Sequence, residues 1–387
     1  MLGTVEGLDR TAIAGTLERA RSRTLSVLAP FSEEQLCVQV SSLQSPLVWD
    51  FAHIGHFEEL WLLRTVGGEQ PLHEEHDDVY DAFAHERSER GELPYLAPAA
   101  ARAFVDDVRA RSLRLLDHVP VDDDRLLADG FVFGLVVQHE LQHIETMAQT
   151  MQLGGLPAQI DPPPVVRSSG EIALAGGRIV LGAGPDEPWA YDNERPEHEV
   201  ELAPYRIDRA LTTNADYLAF MNDGGYENRL VWSDEGWAWR EAEQATAPLY
   251  WQRDGGKWLR TRFGVTEPVP ADEPVMHVCF WEAEAFARSA GKRLPTEAEW
   301  ECAARTGELE HATGAVWQWT SSPFEPYPGF QPFPYPEYSE VFFGDEYRIL
   351  RGGSYLTDPL VARLSLRNWD YPQRRQIFSG IRCARDE

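Results

Sequence analysis

The chain has 387 residues, 43% of them apolar, which is enough for one large domain or two with real cores. Its 35 basic residues against 63 acidic ones give a formal charge of −28, a field that repels phosphate backbones and anionic lipid, so no nucleic acid and no membrane partner is expected. No apolar run approaches the roughly 18 to 20 residues of a spanning helix, and the start MLGTVEGLDR lacks the basic-then-apolar plan of a secretion signal, which predicts a cytoplasmic protein.

Taken in chain order, the first 155 or so residues read as helical. A helix over Asp9–Leu28 carries Ile13, Leu17 and Leu28 on its apolar side, with Arg19, Arg21 and Arg23 on other faces, and Pro30 ends it. Three more are predicted over Pro46–Thr65, Pro98–His118 and Asp122–Leu153, the last ended by Gly154 and Gly155. Long helices of this number suggest an up-and-down bundle with metal ligands pointing inward. The candidate ligands are His139 and His143, four residues apart in HELQHIETM and therefore one turn apart on one face, and His53 in WDFAHIGH on another helix. HELQH is also a literal H-E-x-x-H, the zinc-hydrolase pattern in which Glu140 would activate water, but no third ligand follows at zincin spacing. Glu140 sits beside His139 and points off the metal face, Glu145 could support a neighbouring helix, and either could be an ordinary solvated charge.

From Asp161 to Gly170 the run DPPPVVRSSG reads as a linker, which puts the domain boundary at 160/161. Beyond it, short apolar runs such as Ile172–Leu181, many aromatics and frequent Gly and Pro turns predict an α+β half. One helix stands out over Trp281–Ala290, and Thr296 followed by Glu299 makes a capping box for another. Cys37, Cys279, Cys302 and Cys383 form no C-x-x-C pair and read as reduced structural thiols.

Four ordered motifs in this half, GKRLPTEAEWECAAR (291–305), VWQWT (316–320), RGGSY (351–355) and GIRCAR (380–385), resemble the formylglycine-generating-enzyme-like fold, a C-type-lectin-related domain. Sulfatase-activating members of that family use a copper-binding cysteine pair after RGGS. Here the stretch reads YLTDPLVARLSLRNWD, without cysteine, and that activity is not carried over. The helical half resembles the DinB-like four-helix metal bundle. The two together, over nearly the whole chain, resemble the sulfoxide synthases of ergothioneine biosynthesis, on SPLVWDFAHIGHFEELWLLR (45–64), YDAFAHERSER (80–90), HELQHIETM (139–147), FPYPEYSEVFFG (333–344) and RNWDYPQRRQIFSG (367–380). They look most like the actinobacterial type that uses γ-glutamylcysteine.

The resemblance implies an Fe(II) enzyme with His53, His139 and His143 as ligands, whose three neutral donors leave room for a thiol, an imidazole and O2. It places Arg87, Arg90, Asp370 and Arg374 at the donor γ-glutamylcysteine, where guanidinium forks suit carboxylates and an aspartate suits the amine. Gln142, Asn368 and Trp369 match positions near the acceptor hercynine, whose trimethylammonium prefers aromatic faces and polarised oxygens. Tyr335 matches the catalytic tyrosine, a phenol that stays protonated at neutral pH and can supply a proton; Tyr338 is the fallback. His56, one turn from His53, stands outside the triad as a candidate substrate-facing or supporting residue, because many relatives carry glutamine there. Blander readings remain beside these: core histidines, Arg87 and Arg90 as an exposed helical stripe, Trp369 as core. Competing functions are the same architecture with cysteine or a selenosugar as donor, a DinB-like metal-dependent thiol transferase needing no O2, a zinc hydrolase, and a non-catalytic lectin-like binding module.

Overall fold

A computed structural model describes residues 10–119 and 125–387, and the chain divides into two compact units, Met1–Ala158 and Gln159–Glu387. The first unit contains α1 (Arg10–Leu28), α2 (Glu33–Cys37), α3 (Leu47–Glu58), α4 (His76–Val79), α5 (Pro98–Leu116) and α6 (Phe131–Leu153). The long helices α1, α3, α5 and α6 pack on one another as the predicted bundle. Every residue of α3 is buried, consistent with a segment that is apolar nearly all round. Gly55 allows the close approach of α5, since a Cβ there would meet the Val105 side chain at 2.7 Å.

Two helix bounds differ from the sequence reading by more than two residues. The helix expected over Asp122–Leu153 begins at Phe131, because Asp129 and Gly130 adopt left-handed conformations at φ 52° and 69° and interrupt it; residues 122–124 of that expectation, like Asp9 of the first helix, lie outside the described residues. The helix expected over Pro46–Thr65 is α-helical only to Glu58 and continues as a π-helix over Glu59–Val66. There buried Glu59 accepts from Arg64 Nε at 2.9 Å and from the Leu72 amide at 2.7 Å. Wide turns of this kind occur often at functional sites.

Four buried charges bind the bundle helices together. Arg21 from α1 reaches Glu140 on α6 at 2.8 Å and Glu58 on α3 at 3.0 Å, and Arg109 from α5 reaches the same two carboxylates at 2.8 and 2.7 Å. Two positive and two negative side chains neutralise one another with most of their hydrogen bonds made, the condition under which buried ions are tolerated.

The second unit is α+β. It contains β1 (Glu171–Leu174), β2 (Gly177–Leu181), β3 (His198–Leu202), β4 (Tyr205–Asp208), α7 (Asn214–Asn222), α8 (Asp234–Glu243), β5 (Trp251–Asp254), β6 (Lys257–Arg262) and β7 (Val265–Pro268). It continues with α9 (Phe280–Ser289), α10 (Glu297–Arg305), β8 (Trp317–Phe324), β9 (Gly344–Arg351), β10 (Asn368–Asp370), β11 (Ser379–Gly380) and β12 (Ala384–Asp386). The described strands form small sheets ordered β1-β4-β12, β10-β9-β8-β11, β2-β3 and β5-β6-β7, antiparallel except for β11 on β8. The apolar run Ile172–Leu181 is thus two strands in different sheets, parted by Gly176 and Gly177 at φ 68° and 92°.

The motifs that mark this unit meet in its core. Gln318 of VWQWT accepts from Trp300 Nε1 and from Arg382 Nε, each at 2.7 Å, and Arg351 of RGGSY pairs with Glu301. Gly352 holds φ 92° where a Cβ would lie 2.4 Å from the Ala312 carbonyl oxygen. These residues build the scaffold, and the Thr296/Glu299 capping box starts α10 as the sequence indicates.

Candidate metal centre

His53 projects from α3 and His139 and His143 from α6, and their ligand nitrogens lie within 4.8 Å of one another. His53 Nε2 and His139 Nε2 are 3.2 Å apart; adjacent ligands of one ion with bonds of about 2.1 Å sit about 3 Å apart. Two of the rings are oriented through their second nitrogens. His53 Nδ1 donates to the Tyr80 carbonyl at 2.8 Å, and His143 Nδ1 meets Asp50 Oδ1 at 3.1 Å, so each offers Nε2 to the shared space. His139 is held by packing instead, stacked 3.7 Å from the Phe57 ring, and its buried Nδ1 has no hydrogen-bond partner. Burial, with His143 nearby, pushes the pKa of both His53 and His139 well below the ordinary histidine value, so both are neutral. Three imidazoles converging, with no carboxylate among the described residues in the cluster, are a donor set that suits iron, zinc, copper or nickel.

Glu140 cannot serve as the base of a zinc hydrolase. It is fully buried, and its oxygens accept from Arg21, Arg109 and Thr24. The alternative that it is an ordinary solvated charge fails for the same reason, since Arg21 on α1 and Arg109 on α5 pair with it. Glu145 is buried as well.

Arg90 is also buried, so the reading of Arg87 and Arg90 as an exposed stripe fails for it. They lie on a 3-10 turn, Arg87–Glu92, with Arg87 exposed and Arg90 buried. Arg90 sits 4.1 Å over the Trp49 ring, and Trp49 stacks on His53 at 4.9 Å. Its guanidinium donates to Ser45 Oγ and to the carbonyls of Ala82 and His85, and no carboxylate among the described residues pairs with it. Burial first, then the charge of Arg87, lower its pKa to about 10. Arg87 donates to Gln44 Oε1 at 2.8 Å. His56 is tied to Asp77 at 2.9 Å and stands outside the triad, while Gln142 lies between the two α6 ligands, half-buried.

In the second unit, Tyr335, Tyr338 and Trp369 form an aromatic chain. Tyr335 and Tyr338 cross edge-on at 6.2 Å, Tyr338 meets Trp369 at 6.2 Å and stacks on Tyr191 at 4.4 Å, and Trp369 stacks on Phe324 at 4.1 Å. Trp369 is half-buried and not wholly core. Burial, with Tyr191 and Asp192 nearby, raises the Tyr335 pKa above the ordinary phenol value. Asn368 and Asp370 flank Trp369 on β10, and Arg374 Nε lies 3.6 Å from Asp370 Oδ1, beyond hydrogen-bonding distance.

Comparison with known proteins agrees with both halves. A family profile described as DinB superfamily matches residues 16–147, and one described as sulfatase-modifying factor enzyme 1-like domain matches residues 157–312 and 308–387. The chain is 43% identical to the hercynine oxygenase of Mycolicibacterium smegmatis, over 98% of this chain and 100% of that protein. It is 44% identical to the hercynine oxygenase of Mycobacterium tuberculosis, over 97% and 98%. The chain belongs to the hercynine oxygenase family. Similarity to formylglycine-generating enzymes is confined to part of the chain, as with that of Streptomyces coelicolor, 28% identical over 59% of it.

For this hercynine oxygenase family member, sequence reasoning missed the residues that orient the ligands. Asp50 is 1% exposed and lies three residues before His53 in the same motif, so an acid on a ligand-bearing apolar helix was the available signal. The Tyr80 carbonyl left no signal, because a backbone group carries no residue code. Among the described residues no helix is long and apolar enough to cross a membrane.

Proposed function

We propose that the chain is itself a hercynine oxygenase, joining γ-glutamylcysteine to C2 of the hercynine imidazole with O2. In this reaction the thiol S–H and imidazole C2–H bonds are broken and C–S and S–O bonds form. O2 takes up four electrons, one oxygen going to the sulfoxide and the other to water. The observation that carries the reading is the cluster of three imidazoles on α3 and α6 in a chain 43–44% identical to hercynine oxygenases.

In this reading His53, His139 and His143 hold Fe(II). The iron supplies the redox chemistry that lets a thiol and an aromatic C–H react with O2. The Tyr80 carbonyl and Asp50 fix two of the three rings, and the apolar walls made by Phe57 and Trp49 exclude water. Arg87 and Arg90, which pair with no carboxylate among the described residues of a strongly acidic chain, bind the donor carboxylates, a role supported by the desolvation of Arg90 that an anion would offset. Asp370 and Arg374 complete recognition of the donor. Asn368 and Trp369, with Gln142, bind hercynine, the indole facing its trimethylammonium. Tyr335 keeps its proton through burial and delivers it during turnover, with Tyr338 packed beside it.

The deciding experiment is anaerobic Fe(II) reconstitution of the full chain, followed by exposure to air with hercynine and, separately, γ-glutamylcysteine, cysteine and a selenosugar. Mass spectrometry should find the γ-glutamyl sulfoxide, with O2 consumed in proportion. A thioether formed without O2 uptake would instead establish a thiol transferase, and product from another donor alone would reassign Arg87 and Arg90.

A further inference from the structure

A second set of ligand-type side chains lies apart from the triad. His73, Glu75 and His76 bring ligand atoms within 4.8 Å of one another. The His73 and His76 rings are 4.6 Å apart, and His73 Nδ1 faces Glu75 Oε1 at 3.6 Å, too far for a hydrogen bond yet close enough for both to reach one ion. His76 is 5% exposed, fixed edge-on against Phe104 at 4.9 Å and Tyr80 at 5.4 Å. Its buried Nδ1 makes no hydrogen bond, an expense for a polar atom that packing alone does not explain. His73 and Glu75 are exposed, so ions from solvent have direct access.

We propose that His73, Glu75 and His76 form a second metal site, binding a divalent ion of the zinc, cobalt or nickel class at the surface of the helical unit. Two imidazoles and one carboxylate favour these ions over magnesium and calcium, which take oxygen ligands. The buried imidazole supplies a rigid anchor and the two exposed side chains close over the ion, with water filling the remaining positions. The chain geometry gives the site a consequence. The Tyr80 amide donates to the His76 carbonyl at 3.0 Å, and the Tyr80 carbonyl holds His53 Nδ1. An ion joining His73 to His76 therefore tightens the segment that orients a ligand of the triad.

The test compares Co(II) binding by the full-length chain, its His73→Ala/Glu75→Gln variant and its His139→Asn/His143→Asn variant, using equilibrium dialysis and visible absorption. His73 and Glu75 are exposed, and without the His73 ring His76 keeps its contacts with Phe104 and Tyr80, so the anchor stays in place, and near-ultraviolet circular dichroism checks this. The expected result is two equivalents bound by the natural chain and one by each double variant, with different absorption spectra for the two remaining sites. If His73→Ala/Glu75→Gln binds as many equivalents as the natural chain, the second site does not exist.

Discussion

The roles proposed for Tyr335 and for Asp50 can each be tested with a single side chain. Tyr335→Phe keeps the ring contact with Tyr338 and removes only the hydroxyl, so it tests proton delivery without disturbing packing. Loss of a positioned acid typically costs about 100-fold or more. Sulfoxide formation should therefore fall by roughly that factor while oxidation of the thiol alone persists, a shift read directly from the product ratio; an unchanged sulfoxide yield would remove Tyr335 from the chemistry. Asp50 acts through His143. Replacing it with Asn removes the charge facing Nδ1 and puts an amide in a space where Oδ2 already lacks a partner. Changes to such supporting carboxylates weaken metal binding about 10- to 100-fold, and Asp50→Asn should lower Co(II) affinity within that range while the fold persists. A variant that binds metal as tightly as the natural chain would make Asp50 a bystander.

At the scale of elements, the Arg21–Glu58–Arg109–Glu140 quartet sets where α3 and α6, and so the three ligands, stand relative to each other. Burial alone would raise the Glu58 pKa, but Arg109 and Arg21 outweigh it and hold it below the ordinary value. A carboxylate depressed on folding contributes stability that is fully present above the unfolded value, about 4.3, and is lost as pH falls through the lower folded value. Arg109→Met leaves Glu58 and Glu140 undercompensated in the core, a class of change that costs about 3–5 kcal/mol. Denaturant unfolding of the helical unit at pH 7 should show that loss, together with weakened metal binding; a loss under about 1 kcal/mol would mean the quartet is replaceable by packing. The sequence made the helices legible through apolar spacing, and made His139 and His143 legible because four residues is one turn. The quartet was hidden because its members are 31 to 119 residues apart and each looks like a surface charge when read alone. The π-helical stretch was hidden for a related reason: ELWLLRTV has ordinary helical periodicity, and the wide turn depends on the buried Glu59 contacts. Conversely, the scaffold motifs of the second unit were visible as strings, while their role as a buried hydrogen-bonded core around Gln318 emerges only once they are folded together.

Across the whole molecule, the charge of −28 would oppose the donor that Arg87 and Arg90 are proposed to bind. γ-Glutamylcysteine carries two carboxylates and one ammonium, a net negative charge at neutral pH, whereas hercynine is a zwitterion without net charge. The long-range field acts on the approach, and the guanidiniums act at contact. Raising the ionic strength from about 0.01 M to 0.15 M shrinks the screening length from about 30 Å to about 8 Å, which suppresses repulsion from distant carboxylates while leaving contacts of about 3–4 Å largely intact. The donor's kcat/KM should therefore rise several-fold over this interval, as steering by net charge predicts with its sign reversed, and that of hercynine should stay constant as the internal control. The desolvated position of Arg90 limits the opposing loss, since a buried cation is screened less than an exposed one. A fall in donor kcat/KM with salt would show that contact attraction, and not the acidic surface, governs capture of the thiol.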